Sequence, residues 1–263
     1  MGARRAFLTT VMGLALASGG TTAGAQDSVR VAAASSLHYA MKDLVATFER
    51  NNDARVRVSF GASGALARQI RRGAPYAVFM AADERAIERL VDEDVIDDEG
   101  ERYATGGLSL FVRQGAPLRA ANGLEGLAAA LDGKRLGRVA IPDPGEAPYG
   151  RAARDVLREI NLWSGMQDHV AVAENAARAA RMAANGPAQA GLVPTALAGQ
   201  RALQQRGNAE PVPPELHDPI NHRMVLLDGN GDENPADAFY AFILSDEGQA
   251  ILQDHGFEPP AEE

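Results

Sequence analysis

Val29 and Val31 alternate with polar neighbours, and Leu37, Ala40, Met41, Leu44, Val45 and Phe48 then recur three and four residues apart. The first period predicts a strand and the second a helix that buries one face. The couplet returns twice. Val56, Val58 and Phe60 alternate, Leu66 and Ile70 stand four apart, and Gly73 ends that helix. A third strand is expected over Tyr76 to Met80 and a helix from about Glu84 to Val91. After Thr105-Gly106-Gly107 comes the apolar run LSLFV, suited to carrying the backbone from one lobe into another. A second set follows, with a strand at Val139 to Ile141, the loop PDPGEAPYG and a helix marked by Ala153, Val156, Leu157 and Ile160. Val170 and Val172 begin another strand, an Ala-rich helix runs from about Asn175 to Ala184, and LVPTALA and a Pro-rich connection at Pro211 to Pro214 come next. The strand MVLL and one closing helix near Ala236 to Leu252 complete the chain. Strand followed by helix, repeated, predicts an α/β fold whose sheets are mostly parallel and covered by helices.

The first residues break this pattern. Arg4-Arg5 precede an apolar run from Ala6 to about Ala17, and Ala23-Gly24-Ala25 offers a cleavage site, so residues 1–25 read as an export signal. The run is shorter than the roughly 20 apolar residues of a membrane span. Arg4-Arg5-Ala6-Phe7-Leu8 also resembles a twin-arginine signal, which leaves both the Sec and twin-arginine routes open. The formal net charge of the 263-residue chain is −9, and removal of a leader holding two arginines leaves −11. Such a surface argues against nucleic acid or anionic lipid as partner. The chain has no Cys, so an oxidising compartment imposes no disulfides on it.

Four junctions share one design, in which a strand ends and small or hydroxyl residues lead into a helix. They are Ala34-Ser35-Ser36, Gly61-Ala62-Ser63-Gly64, Ala147-Pro148-Tyr149-Gly150 and Glu174-Asn175-Ala176. The first turn of a helix presents N–H groups without intrahelical partners at the positive end of its dipole. Small residues admit an anion to those groups, and a Ser hydroxyl adds a donor. The competing reading is capping alone, since Ser and Asn are the preferred N-caps.

Other motifs are weaker. Gly61-Ala62-Ser63-Gly64-Ala65 lacks the final Gly of a nucleophile elbow, which leaves a serine hydrolase using Ser63 as an alternative of another class. Asp228-Gly229-Asn230-Gly231-Asp232 begins like a calcium loop but has Glu233 and Phe239 where Gly and Glu belong, so a turn with Asn234 as N-cap and Pro235 at N1 is expected. His217 and His222 sit without helical register and are expected to be ordinary surface residues, and no free metal cation is expected. Arg68, Arg71 and Arg72 are expected to face solvent.

AAASSLHYAMKDL, SFGASGALARQIRRGAP and AVFMAADERAIERLVDEDVI together resemble the periplasmic molybdate-binding proteins of ABC importers. The similarity continues through PDPGEAPYGRAARDVL, AENAARAARMAANGPAQAGLV and the terminal HGF, over nearly all of the mature chain. The resemblance implies a type II periplasmic-binding-protein fold: residues 26–107 and 218–263 in lobe 1, residues 108–217 in lobe 2, and a ligand cleft between them. It implies an oxyanion ligand, molybdate or tungstate, held by Ser36 and Ser63 through hydroxyl and N–H and by Tyr149 and Ala176 chiefly through N–H. Ser35 and Pro194 are further positions at the site. The implied protein is a periplasmic monomer that hands its ligand to an inner-membrane ABC permease, with no catalytic residue and no cofactor. Many family members place a Tyr where this chain has Pro194, which has neither hydroxyl nor N–H. Either the Tyr149 hydroxyl supplies the missing contact or the site runs with one donor fewer. A site of donors alone suits a deprotonated dianion and penalises protonated phosphate, whose O–H would lack an acceptor. A receptor for sulfate or another tetrahedral oxyanion is the alternative within the binding class.

Overall fold

The structure is a computed structural model that describes residues 28–227 and 234–260. The leader expected over residues 1–25 and the turn at Asp228 to Asp232 lie outside the described residues. The first strand-helix set is β1 (Ser28–Ala34), α1 (Ala40–Asn51), β2 (Arg55–Gly61), α2 (Ser63–Arg71), β3 (Val78–Ala81), α3 (Arg85–Asp92) and β4 (Glu101–Gly106). A 3-10 turn, Ser35–Leu37, joins β1 to α1. The second set begins with β5 (Leu108–Arg113), α4 (Gly123–Asp132), β6 (Val139–Pro142), α5 (Pro148–Glu159) and β7 (Val170–Ala173). It continues through α6 (Ala176–Asn185), β8 (Ala190–Pro194), α7 (Thr195–Ala198), α8 (Arg201–Gln204) and β9 (Gly207–Pro211). The chain then returns as β10 (Ile220–Leu226), α9 (Pro235–Leu244), α10 (Asp246–Asp254) and β11 (Phe257–Glu258).

These strands form two sheets, ordered β11-β4-β10-β3-β1-β2 and β7-β6-β8-β5-β9. Each is mixed rather than mostly parallel. The βαβ portions, β2-β1-β3 and β7-β6-β8, are parallel, whereas β10, β4 and β11 in one sheet and β5 and β9 in the other pair antiparallel. Helical crossovers return the chain in the same direction. The strands that enter or leave a sheet without such a crossover are free to run the other way.

Parallel register decides what meets at the cleft. Ala34 pairs with Gly61 at the ends of β1 and β2, and Pro142 with Ala173 at the ends of β6 and β7. Four strand ends that are far apart in sequence thus present their loops in two adjacent pairs, the usual location of a ligand crevice in such sheets. Helix α6 approaches its sheet closely because its inward residues, Ala179, Ala180, Ala183 and Ala184, are small and buried. A Cβ added at Gly191 of β8 would lie 3.0 Å from the Ala183 Cβ.

Two differences from the sequence expectation are local. The closing helix is two helices, because Ser245 adopts an extended conformation between α9 and α10 and its hydroxyl accepts from the Gly248 N–H. Strands β4, β9 and β11 had no clear alternation to announce them, and edge pairing to β10, β5 and β4 creates them. Asn234 caps α9 by accepting from the Ala236 N–H, with Pro235 at N1, as the turn chemistry requires.

Candidate functional site

Ser35, Ser36, Ser63, Tyr149 and Ala176 line one small cavity, about 180 Å³ with the space open at its mouth, together with Ala34, Gly61, Ala62, Ala82, Ala147 and Pro148. None of these lining residues carries a charge. Pro194 is not among them, for it ends β8 against Leu108 and leads into α7.

The hydroxyls at the cavity differ in what they do. Ser63 Oγ accepts from the Ala82 N–H at 2.9 Å, which fixes the oxygen and leaves its own hydrogen to donate. Ser35 Oγ accepts from the Ala177 N–H at 3.2 Å, linking the end of β1 to the first turn of α6. Ser36 Oγ is buried and has no hydrogen-bond partner among the described residues. A buried hydroxyl left unpaired costs about 1–3 kcal/mol, so such a group calls for a partner. Capping accounts for Asn175, whose side chain accepts from the Arg178 N–H at 2.9 Å. It does not account for Ser36 or Ser63, since α2 has Ala62 at its N-cap and the turn at Ser35–Leu37 has no side-chain cap. In the first turn of α6, Ser35 and Asn175 take the Ala177 and Arg178 N–H groups. The Ala176 N–H is the one those two side chains leave over.

Contacts cross between the two sheet systems around the cavity. The Gly64 N–H donates to the Glu146 carbonyl at 3.0 Å, Arg68 pairs with the Glu146 carboxylate, and Arg151 pairs with Asp83. Gly64 permits this approach, because a Cβ there would lie 2.9 Å from a Glu146 carboxylate oxygen. Arg68 therefore does not simply face solvent as expected, and Arg71 is held by Glu93 at 3.0 Å.

His222 is the largest correction. It is fully buried rather than at the surface. Its Nδ1 lies 3.1 Å from the Tyr103 hydroxyl, its Nε2 lies 3.1 Å from the Tyr149 hydroxyl, and the Phe257 ring meets it edge-on. Burial pushes the imidazole down to about 3, so it is neutral at physiological pH. Burial also raises the Tyr149 hydroxyl, an effect partly offset by the Ser36 hydroxyl beside it. Gly106 makes room for this contact, because a Cβ there would lie 2.0 Å from the Tyr149 oxygen. The available sequence signal was period two: Ile220, His222 and Met224 share the buried face of β10. His217 instead lies on the exposed connection, with Nδ1 2.7 Å from the Asp218 carbonyl. No group of three or more potential metal ligands occurs among the described residues. Ser63 Oγ is bonded to a backbone amide and to no imidazole among the described residues, which leaves the hydrolase alternative without a base.

Residues 29–258 match the family model described as bacterial extracellular solute-binding protein. The chain belongs to this family. It is 30% identical over 251 residues to a molybdate-binding protein, ModA, of Rhodobacter capsulatus, a match covering 95% of this chain and 93% of that relative. Its structure is similar to the periplasmic molybdate-binding protein of Azotobacter vinelandii, with a TM-score of 0.78, 26% identity, and coverage of 89% of this chain and 100% of that one. The sulfate-binding protein SubI of Mycobacterium tuberculosis H37Rv shares the fold at a TM-score of 0.70 and 17% identity, covering 89% of this chain and 87% of that one. Two helix-flanked sheets in this arrangement constitute the type II substrate-binding fold.

Proposed function

We propose that this protein is the exported substrate-binding component of an ABC importer, which captures molybdate or tungstate and delivers it unchanged to a membrane permease. The observation that carries the reading is the uncharged cavity in which Ser36 Oγ is buried without a partner and Ser63 Oγ is anchored so that its hydrogen is free. The similarity to molybdate-binding proteins over nearly the whole chain supports the choice of anion. In this reading residues 26–107 with 218–263 act as one lobe and residues 108–217 as the other. The anion is held by the Ser36 and Ser63 hydroxyls and by the Tyr149 and Ala176 N–H groups, with Ser35 bracing the α6 turn and Pro194 contributing no donor. A fully deprotonated dianion satisfies such a site, whereas the O–H of a protonated phosphate finds no acceptor. Molybdate and tungstate are nearly equal in size, and the smaller sulfate leaves some contacts long. Closure over the anion shifts an equilibrium between open and closed forms that the permease reads. The protein acts as a monomer in the periplasm, reached by the Sec or the twin-arginine route.

A thermal-shift panel of molybdate, tungstate, sulfate and phosphate on the purified apo protein tests the reading. A ligand at 1,000 times its Kd adds about 4 kcal/mol of stability. Molybdate and tungstate should raise the transition strongly and phosphate should not. A panel without any shift removes the receptor function, and equal shifts from sulfate and molybdate remove only the specificity.

A further inference from the structure

Behind the cavity three hydrogen-bonding side chains stand in a row. The Tyr103 hydroxyl is 3.1 Å from His222 Nδ1 and also 3.1 Å from the Ala81 carbonyl oxygen, and the Tyr149 hydroxyl is 3.1 Å from His222 Nε2. Tyr103 and His222 stand on β4 and β10 of one sheet, while Tyr149 arrives on α5 from the other half of the molecule. All three are fully buried.

A neutral imidazole carries hydrogen on one nitrogen only, so the row can run in two directions. In the first, Tyr103 donates to Ala81, Nδ1–H donates to Tyr103, and Tyr149 directs its hydrogen into Nε2. Tyr149 then turns only lone pairs toward Ser36 and the cavity. In the second, Tyr103 donates to Nδ1, Nε2–H donates to Tyr149, and the Tyr149 hydrogen is available on the cavity side. The Ser36 hydroxyl stands on that side, near enough to Tyr149 for a hydrogen bond between them to ease the tyrosine ionisation, and it has no other partner among the described residues. An acceptor facing a dianion repels it, and a donor forms a charge-assisted hydrogen bond.

We propose that His222 is a positioning residue of the anion site: in the ligand-bound protein it donates from Nε2 to Tyr149, which makes the Tyr149 hydroxyl a donor toward the cavity. The assignment rests on the oxyanion reading above and deepens it, by supplying a donor at a site where Pro194 has none. Burial keeps both ends of the contact in the required state around neutral pH, with the imidazole neutral and the tyrosine protonated. In the free protein the Tyr103 hydroxyl donates to the Ala81 carbonyl, so the assigned state moves that hydrogen to Nδ1.

The experiment is ¹⁵N NMR of the His222 imidazole in wild-type protein with and without molybdate, the signals being identified by their loss in His222→Gln. Calorimetric molybdate titrations of Tyr149→Phe, Tyr103→Phe and the double variant accompany it. The molybdate complex should carry its hydrogen on Nε2. Tyr149→Phe should weaken molybdate about ten- to hundredfold, the equivalent of a hydrogen bond to a charged partner. Tyr103→Phe removes the hydroxyl that holds hydrogen on Nδ1 in the free protein and should tighten molybdate several-fold, and the double variant should bind like Tyr149→Phe alone. A molybdate complex with hydrogen on Nδ1, no gain of affinity in Tyr103→Phe, or an effect of Tyr103→Phe that persists in the Tyr149→Phe background would each overturn the role of His222 while leaving the receptor intact. A wild-type protein that binds no molybdate would overturn the receptor reading and this role with it.

Discussion

At the scale of single residues, the two serines of the cavity separate folding from binding. Ser36 neighbours the Tyr149 hydroxyl and makes no hydrogen bond of good geometry among the described residues, so Ser36→Ala should leave unfolding stability nearly unchanged. The same change should weaken the bound oxyanion by about 1.5–3 kcal/mol, the range for a hydrogen bond to a charged partner. Ser63→Ala should weaken binding by a similar amount and also cost about 1–3 kcal/mol of stability, because the buried Ala82 N–H loses its acceptor. Urea unfolding and calorimetric titration of both variants check the contrast. His222 makes a second prediction. Its folded value, about 3, lies below the ordinary 6.5, so between these values the unfolded chain binds more protons. Stability is therefore complete above about pH 6.5 and falls as the pH drops toward 3, by on the order of 4–5 kcal/mol across the window. Urea midpoints measured from pH 7 to pH 4.5 should decline steeply in wild type and more gently in His222→Gln. The hydroxyls were legible from their positions at strand-to-helix junctions. The burial of His222 was not, because a histidine in a Pro-rich stretch looks exposed until β3 and β4 close over both sides of its strand.

At the scale of elements, the junction sequences did two jobs that composition could not tell apart. Asn175 is a cap, and Asn175→Ala should cost about 1 kcal/mol in thermal or chemical unfolding. It should also weaken anion binding slightly, because the turn it ties down carries the Ala176 N–H. The strand-helix couplets from β1 to α3 and from β6 to α6 were visible in their periods of two and near four, since each helix buries one stripe against its sheet. The antiparallel strands were less visible. Strand β9 reads Gly-Asn-Ala-Glu-Pro and exists because β5 offers it an edge, a pairing no local pattern encodes. The break at Ser245 falls where the apolar run Ala238 to Leu244 gives way to Asp246-Glu247, and its cause is the cap that Ser245 provides to α10.

At the scale of the whole molecule, the site exists only where the two sheet systems meet, and the ion pairs that cross there are unequal. Asp83 and Arg151 are largely buried, at 13% and 17% side-chain exposure, and the other Asp83 oxygen has no partner among the described residues. Arg151→Met leaves that carboxylate unpaired and should cost about 3 kcal/mol of stability. Arg68 and Glu146 are more open, at 43% and 29%, and Arg68→Met should cost less than about 1 kcal/mol. Urea unfolding at low and high salt distinguishes the two, because only the exposed pair is strongly screened.

The sequence by itself determined the alternation of strands and helices, the small uncharged junctions at the cleft, and a chemistry of donors without reactive groups. These are local properties, written in periods of two and three to four residues and in the residue types that a helix start requires. Only the tertiary structure decided that Ser36, Ser63, Tyr149 and Ala176 share a cavity while Pro194 stands apart from it. It alone placed His222 between Tyr103 and Tyr149, because parallel register and cross-sheet closure join positions that no periodicity connects.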